Sequence, residues 1–155
     1  MSKGKQIKST LKYKNVVSTT RPLQLLHMDL FGPSRTRSLR GNVYALVIVD
    51  DFSRYTCTFF LVQKSDAFKP FKKYDKQIQN EKSLTIASIR SDHGGEFQNA
   101  LFEEFYGEHG ISHNFSAPRT PQKMEWLKEI IGILWNLLEQ CLATQTFQSI
   151  FGRMR

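Results

Sequence analysis

Apolar residues in this chain fall first into short runs broken by turn-forming residues, and later into a spacing of three and four. "LQLLHMDLFGP" (23–33) is an apolar run stopped by Gly32-Pro33, and it predicts a buried strand. Val43 to Val49 are all apolar, the pattern of a central strand covered on both faces. "YTCTFFLV" (55–62), rich in β-branched and aromatic residues, predicts a third strand, and "DDFSR" before it suits a tight hairpin. From 65 to 80 the period changes: Phe68, Phe71, Tyr74 and Ile78 recur at helical spacing, with lysines elsewhere. Pro70 inside a helix would cost about 3 kcal/mol, so the helix is expected to start at Pro70. "LTIASIRSD" (84–92) predicts a fourth strand and "ISHNFSA" (111–117) a fifth. Between them "NALFEEFYGEHG" predicts a helix with Leu101, Phe102 and Phe105 on one face, closed by Gly110. "PRTPQ" reads as a loop, and from 123 onward Leu127, Ile130, Ile131, Leu134 and Leu137 carry a helical pattern.

Three strands, helix, strand, helix, strand, helix is an α/β order. The opening hairpin is antiparallel and the later alternation adds parallel strands. The result is a mixed sheet of about five strands flanked by helices, close to the ribonuclease H-like layout. At 155 residues, 40% of them apolar and 12% aromatic, the chain can build one real core and is not a disordered polymer. No run approaches the ~18 apolar residues of a membrane span, and there is no signal-peptide pattern, so no membrane partner is expected. Twenty-two basic against 14 acidic residues give a net charge of +8, which suits a polyanion, nucleic acid first among candidates. Residues 1–22 hold Lys3, Lys5, Lys8, Lys12, Lys14 and Arg21 and no acid, and read as a basic N-terminal arm, either a solvated tail or a DNA contact. Cys57 and Cys141 stand apart from each other and from any His at ligand spacing. Reduced buried thiols in a nuclear or cytoplasmic protein, without zinc, are expected.

Asp29 lies near the end of the first strand and Asp92 ends the fourth. An acid among apolar strand residues is costly unless it is exposed, paired or bound to a cation. Two acids at the ends of neighbouring strands converge, and convergent carboxylates suit Mg²⁺ or Mn²⁺. Such ions clamp the attacking and leaving oxygens of a phosphoryl transfer. Gly94 and Gly95 just beyond Asp92 would let backbone pass close to a substrate. The plain alternative is that each aspartate merely terminates its strand.

The wording around these acids is distinctive. "LLHMDLFGPSRT", "ALVIVDDFSRYT", "SIRSDHGGEFQN", "HGISHNFSAPRTPQ" and the lead-in "KNVVSTTRP" closely resemble the integrase core of copia-type LTR retrotransposons, from about Gly4 to Gln122. The resemblance implies a ribonuclease H-like fold and a metal-dependent enzyme with an Asp-Asp-Glu triad that nicks and joins DNA. Carried over by position, Asp29 and Asp92 match the first two catalytic, metal-binding acids. Arg119, Gln122 and Lys123 fall where the family's mobile loop meets DNA and are expected phosphate contacts. Integrases tend to dimerise, so a homodimer is the expected oligomer. The family's upstream His-Cys zinc module is expected to be missing, because the chain begins where that module would end.

The third acid is not found. At the family's spacing it falls at position 128, which holds Lys128. Another reading frame restores it. Met124 and Trp126 each have a single codon, and bases regrouped across "KMEWLKE" fix Gly, allow Val or Met and then Val or Ala, and can give Glu, so they permit Asn-Gly-Val-Val-Glu-Arg, the family's motif. The same offset makes "EQCLATQTFQSIFGRMR" permit a segment that resembles the family's continuation. Residues 23–122 are therefore read as an incomplete integrase core and 123–155 as a frameshifted helical tail.

Without its third carboxylate this copy is expected to be inactive in strand transfer, with weak Mg²⁺ or Mn²⁺ binding at Asp29 and Asp92. Rescue by Glu125, which shares a helical face with position 128, is the route by which an active nuclease would survive. A non-catalytic nucleic-acid-binding protein on the same fold is the alternative. Other polar residues carry less: His93 reads as a loop histidine, Glu96 as a solvated turn residue, and Asp50 and Asp51 as braces for the hairpin with Arg54. His27, His109 and His113 lack metal-ligand spacing and receive no role.

Overall fold

A computed structural model describes residues 18–33 and 40–115, together with Glu129, Ile133, Asn136 and Leu137. In chain order the elements are β1 (Leu25–Phe31), β2 (Tyr44–Asp50), β3 (Thr56–Leu61), α1 (Phe68–Lys82), β4 (Ser88–Ser91), α2 (Ala100–His109) and β5 (Ser112–Phe115). They form one five-stranded sheet in the order β3-β2-β1-β4-β5. β1 and β2, and β2 and β3, are antiparallel; β4 runs parallel to both β1 and β5. This is the mixed sheet that the alternation of patterns predicts.

Alternation along the strands sorts side chains onto two faces. Leu26 and Met28 of β1, Leu46 and Ile48 of β2, and Ile89 of β4 face one core, which Phe71, Tyr74 and Ile78 of α1 and Phe102, Phe105 and Tyr106 of α2 complete. Both helices therefore cover the same face. Phe71 sits between them, its ring 5.4 Å from that of Phe102 and 5.5 Å from that of Phe105. Asn99 caps α2 by accepting from the backbone N–H groups of Leu101 and Phe102, and Gly110 in the left-handed conformation closes it.

Several expectations about detail are corrected. α1 begins at Phe68, before Pro70, and is led in by a 3₁₀ turn, Lys64–Ala67. Pro70 falls in the first turn, where backbone N–H groups have no intrahelical acceptor, so the missing donor costs no bond. Leu101 does not join Phe102 and Phe105: it is 55% exposed, being rotated about 100° from Phe102, and Tyr106 takes its place. β4 is shorter than the apolar run, because Leu84 and Ile86 pack on the core from the connection and the ladder starts only at Ser88. Leu137, placed in the apolar series of the last segment, is 43% exposed, although the four described positions there are helical. Among the described residues no helix is long and apolar enough to cross a membrane.

Candidate active site

β1 and β4 are neighbours in the sheet. Their parallel register pairs Leu25 with Ser88, Leu26 with Ile89 and His27 with Arg90. Two residues further along each chain lie Asp29, still inside β1, and Asp92, one residue past β4, so continuing the alternation assigns both to one face. By alternation that face carries Leu25 and His27, and lies opposite both helices. Asp29 is half-buried and Asp92 exposed. Each carboxylate is oriented by nearby backbone: Asp29 Oδ1 accepts from the Leu30 N–H at 2.8 Å, and Asp92 Oδ1 from the Gly94 N–H at 3.2 Å.

This donor set fits a hard divalent cation. It supplies carboxylate oxygens only, and a cation relieves the repulsion between two like charges at adjacent strand ends. Backbone N–H groups hold one oxygen of each carboxylate, as outer-shell partners of metal ligands do. Among the described residues no group of three or more His, Cys, Asp or Glu side chains is placed to hold a metal, so the pair stands as a partial site. Lys128 and Glu125 lie outside the described residues, as do Arg119, Gln122, Lys123 and Cys141. In the turn beyond Asp92 a Cβ at Gly95 would meet nothing within 4 Å, and one at Gly94 only the flexible end of Glu96. The backbone is therefore open at Gly95, while the Glu96 carboxylate lies over Gly94. Glu96 is half-buried, and His93 is exposed with its ring stacked 4.5 Å from that of Phe115.

Behind Asp92, Ser91 is fully buried, and its Oγ lies 2.8 Å from His113 Nε2 and 3.1 Å from the Asp92 carbonyl. Burial holds His113 below the usual histidine range, outweighing the pull of Glu103. A neutral His113 donating to Ser91 Oγ leaves the hydroxyl proton for the Asp92 carbonyl. The backbone of the second aspartate is thereby tied to β5.

A second polar network backs β1, and here the sequence reading assigned too little. His27 is 3% exposed and its Nε2 donates to Asp51 Oδ1 at 3.0 Å. Asp51 Oδ2 accepts from Thr19 Oγ1 at 3.0 Å and Ser18 Oγ at 3.3 Å, while Arg54 lies 3.5 Å from Oδ1. Burial alone would push the Asp51 carboxyl up, yet the bonds from His27 and Thr19, with the charge of Arg54, hold it down to about 2. Asp50, 2% exposed, accepts from the Leu23 N–H at 3.0 Å and from the backbone and hydroxyl of Ser53. These two acids do more than brace the hairpin: they fasten the chain entering β1 to the turn after β2, two residues before Asp29. The partners are 24 and 32 residues apart, and the only sequence signal was a pair of acids ending an apolar strand.

Comparisons with known proteins agree with this geometry. The sequence model of the integrase core domain family matches residues 19–121. The retrovirus-related Pol polyprotein from transposon TNT 1-94 of Nicotiana tabacum is 36% identical over 64% of the chain, and that from transposon RE1 of Arabidopsis thaliana is 36% identical over 70%. The chain spans only 8% and 7% of those two polyproteins. A chain in the structure of the simian T-cell lymphotropic virus intasome in complex with PP2A regulatory subunit B56 gamma superposes with a TM-score of 0.63 at 17% identity, over 83% of this chain and 44% of that one. At that identity the likeness shows a shared fold, here the ribonuclease H-like one. With the family's sequence model matched over most of its length and copia-type polyproteins among its relatives, the chain belongs to the integrase core domain family.

Proposed function

We propose that the chain descends from a metal-dependent DNA strand-transfer core in which Asp29 and Asp92 are two of three catalytic carboxylates, and that this copy has lost the third. The observation that supports the reading is the β1–β4 register, His27 against Arg90, with each aspartate two residues further along its chain. Mg²⁺ or Mn²⁺, when bound, would polarise the scissile phosphate and lower the pKa of the attacking water or 3′-hydroxyl. Asp29 and Asp92 would hold the ion, the Leu30 and Gly94 N–H groups would orient their carboxylates, and the open turn at Gly95 would admit the DNA backbone. Arg119, Gln122 and Lys123 are the proposed phosphate contacts, and a homodimer is the proposed assembly.

Loss of the third acid is attributed to a single-base deletion near codon 123. One observation supports it: the shifted frame permits the family's motif across "KMEWLKE". The decisive test has two arms. Sequencing the coding DNA must show codons that regroup into the motif; codons that cannot be regrouped end the frameshift proposal. The chain as it stands should leave a supercoiled plasmid intact in Mn²⁺, whereas the frame-restored protein should nick it and lose that activity with Asp92→Asn. Nicking by the unrestored chain that disappears in Asp92→Ala would overturn the inactivity. A frame-restored protein indifferent to Asp92→Asn would overturn the site itself.

A non-catalytic nucleic-acid-binding role is the second reading, favoured by the net charge of +8. Salt-sensitive DNA binding without cleavage would support it.

A further inference from the structure

The aspartate face leaves the outer side of α1 unused, and that side carries four exposed lysines. Lys69, Lys72, Lys73 and Lys76 are all exposed and lie within about 100° of helical arc. The opposite side of the helix carries Phe71, Tyr74 and Ile78 into the core, so the lysines point away from the sheet. Among the described residues none of the four has a carboxylate within ion-pair distance. With Phe68 and Leu101 they wall an open groove of about 570 Å³, in which Asp66, at one end, is the acid present.

Four like charges side by side repel one another, since i,i+3 and i,i+4 lysine neighbours destabilise a helix by a few tenths of a kcal/mol per pair. A polyanion relieves that repulsion. The four lysines span about 10 Å along the helix axis, enough to reach more than one phosphate of a backbone. A dimer that packed this face against itself would set lysines against lysines. A polyanion is favoured because the patch and the chain as a whole are basic.

We propose that the outer face of α1 is a nucleic-acid backbone site, on the sheet face opposite Asp29 and Asp92, that contacts a duplex through Lys69, Lys72, Lys73 and Lys76 without reading its sequence. Because the site needs no metal, its test is independent of the catalytic proposal. Binding of the full chain to a short labelled DNA duplex is measured by fluorescence anisotropy in EDTA over a range of salt concentrations. The quadruple variant K69Q/K72Q/K73Q/K76Q should flatten the slope of log K against log salt by about 0.9 per lysine removed. The quadruple Lys→Arg variant should keep the wild-type slope. The variant R40Q/K64Q/K82Q, which neutralises exposed cations off the stripe, should change the slope little. Since all four lysines are exposed and repel one another, thermal melting should not fall, and binding loss is not misfolding. A four-lysine variant no weaker than the off-stripe control overturns the proposal. So does a poly-glutamate peptide that displaces the duplex at equal charge concentration and whose own binding depends on the stripe, since that marks a surface for acidic protein.

Discussion

Asp51 holds the entrance to β1, and replacing it with asparagine tests that function directly. The substitution keeps the shape and removes the charge. In the native protein the carboxylate is 5% exposed and takes bonds from His27, Thr19 and Ser18 with Arg54 close by. These partners lower its pKa from 3.8 to about 2. At about 1.4 kcal/mol per unit, the depression corresponds to about 2 kcal/mol of stability. Its sign is fixed by linkage: a carboxyl with a depressed folded-state value contributes fully above about pH 4, and the contribution drains away as pH falls toward about 2. An asparagine would turn its amide N–H₂ toward the donors of Thr19 or His27, so one buried bond is lost as well. Urea denaturation followed by circular dichroism should give a gap of about 2 to 3 kcal/mol between wild type and Asp51→Asn at pH 6 to 7. The gap should narrow below about pH 4 and shrink toward the cost of the one lost bond near pH 2. A gap equal at pH 6 and pH 2.5 would show that the contribution is packing and not charge. No gap at all would mean that the network does not anchor β1.

Two further outcomes follow from local geometry. Gly32 has φ of +121°, and a Cβ there would lie 2.5 Å from the Val43 carbonyl oxygen and 2.7 Å from the Tyr44 ring. Gly32→Ala should therefore cost about 1 to 3 kcal/mol in urea unfolding, while Gly95→Ala, with nothing nearby, should cost under about 1; equal costs would refute the account. Burial pushes the Cys57 thiol up to about 11. At pH 8 about one molecule in a thousand is then thiolate, so iodoacetamide labelling of Cys57, read by peptide mapping, should be about a hundredfold slower than in urea; equal rates would refute burial.

How much of this was legible in the sequence depended on how local the signal was. All five strands and both described helices follow from runs and periods within a dozen residues. Val43 to Val49 could only be an inner strand, and Asn99 and Gly110 bracket α2 as caps should. The start of α1 was misplaced because proline was weighed as an interior residue, whereas it sits in the first turn. Leu101 was misassigned because one residue along a helix turns the side chain by about 100°, beyond what spacing alone settles. The two aspartates were found from motif and strand position. Their shared face required the register, which no pattern along one strand encodes. The Asp51–Arg54 brace was read, but its links to His27 and Thr19 were missed: a buried ionic network joins residues distant in sequence, and each alone looks like a strand end or a loop.

The placement of these parts bears on what a slipped frame near codon 123 would take away. Every described strand, both described helices, the Asp51 network and the lysine stripe lie before residue 116. The sheet register that aligns Asp29 with Asp92 is set by Leu25, Leu26 and His27 against Ser88, Ile89 and Arg90, all well upstream. On the proposed reading the deletion removes one carboxylate from a three-carboxylate site and leaves the other two held as before. Two carboxylates without the third keep their mutual repulsion and lose part of the chelation that offsets it, so affinity for a divalent ion falls steeply while the fold does not. On the two proposals, catalysis and nucleic-acid binding are separable. The first depends on a residue beyond the shift, and the second on lysines of a helix whose inner face is locked into the core.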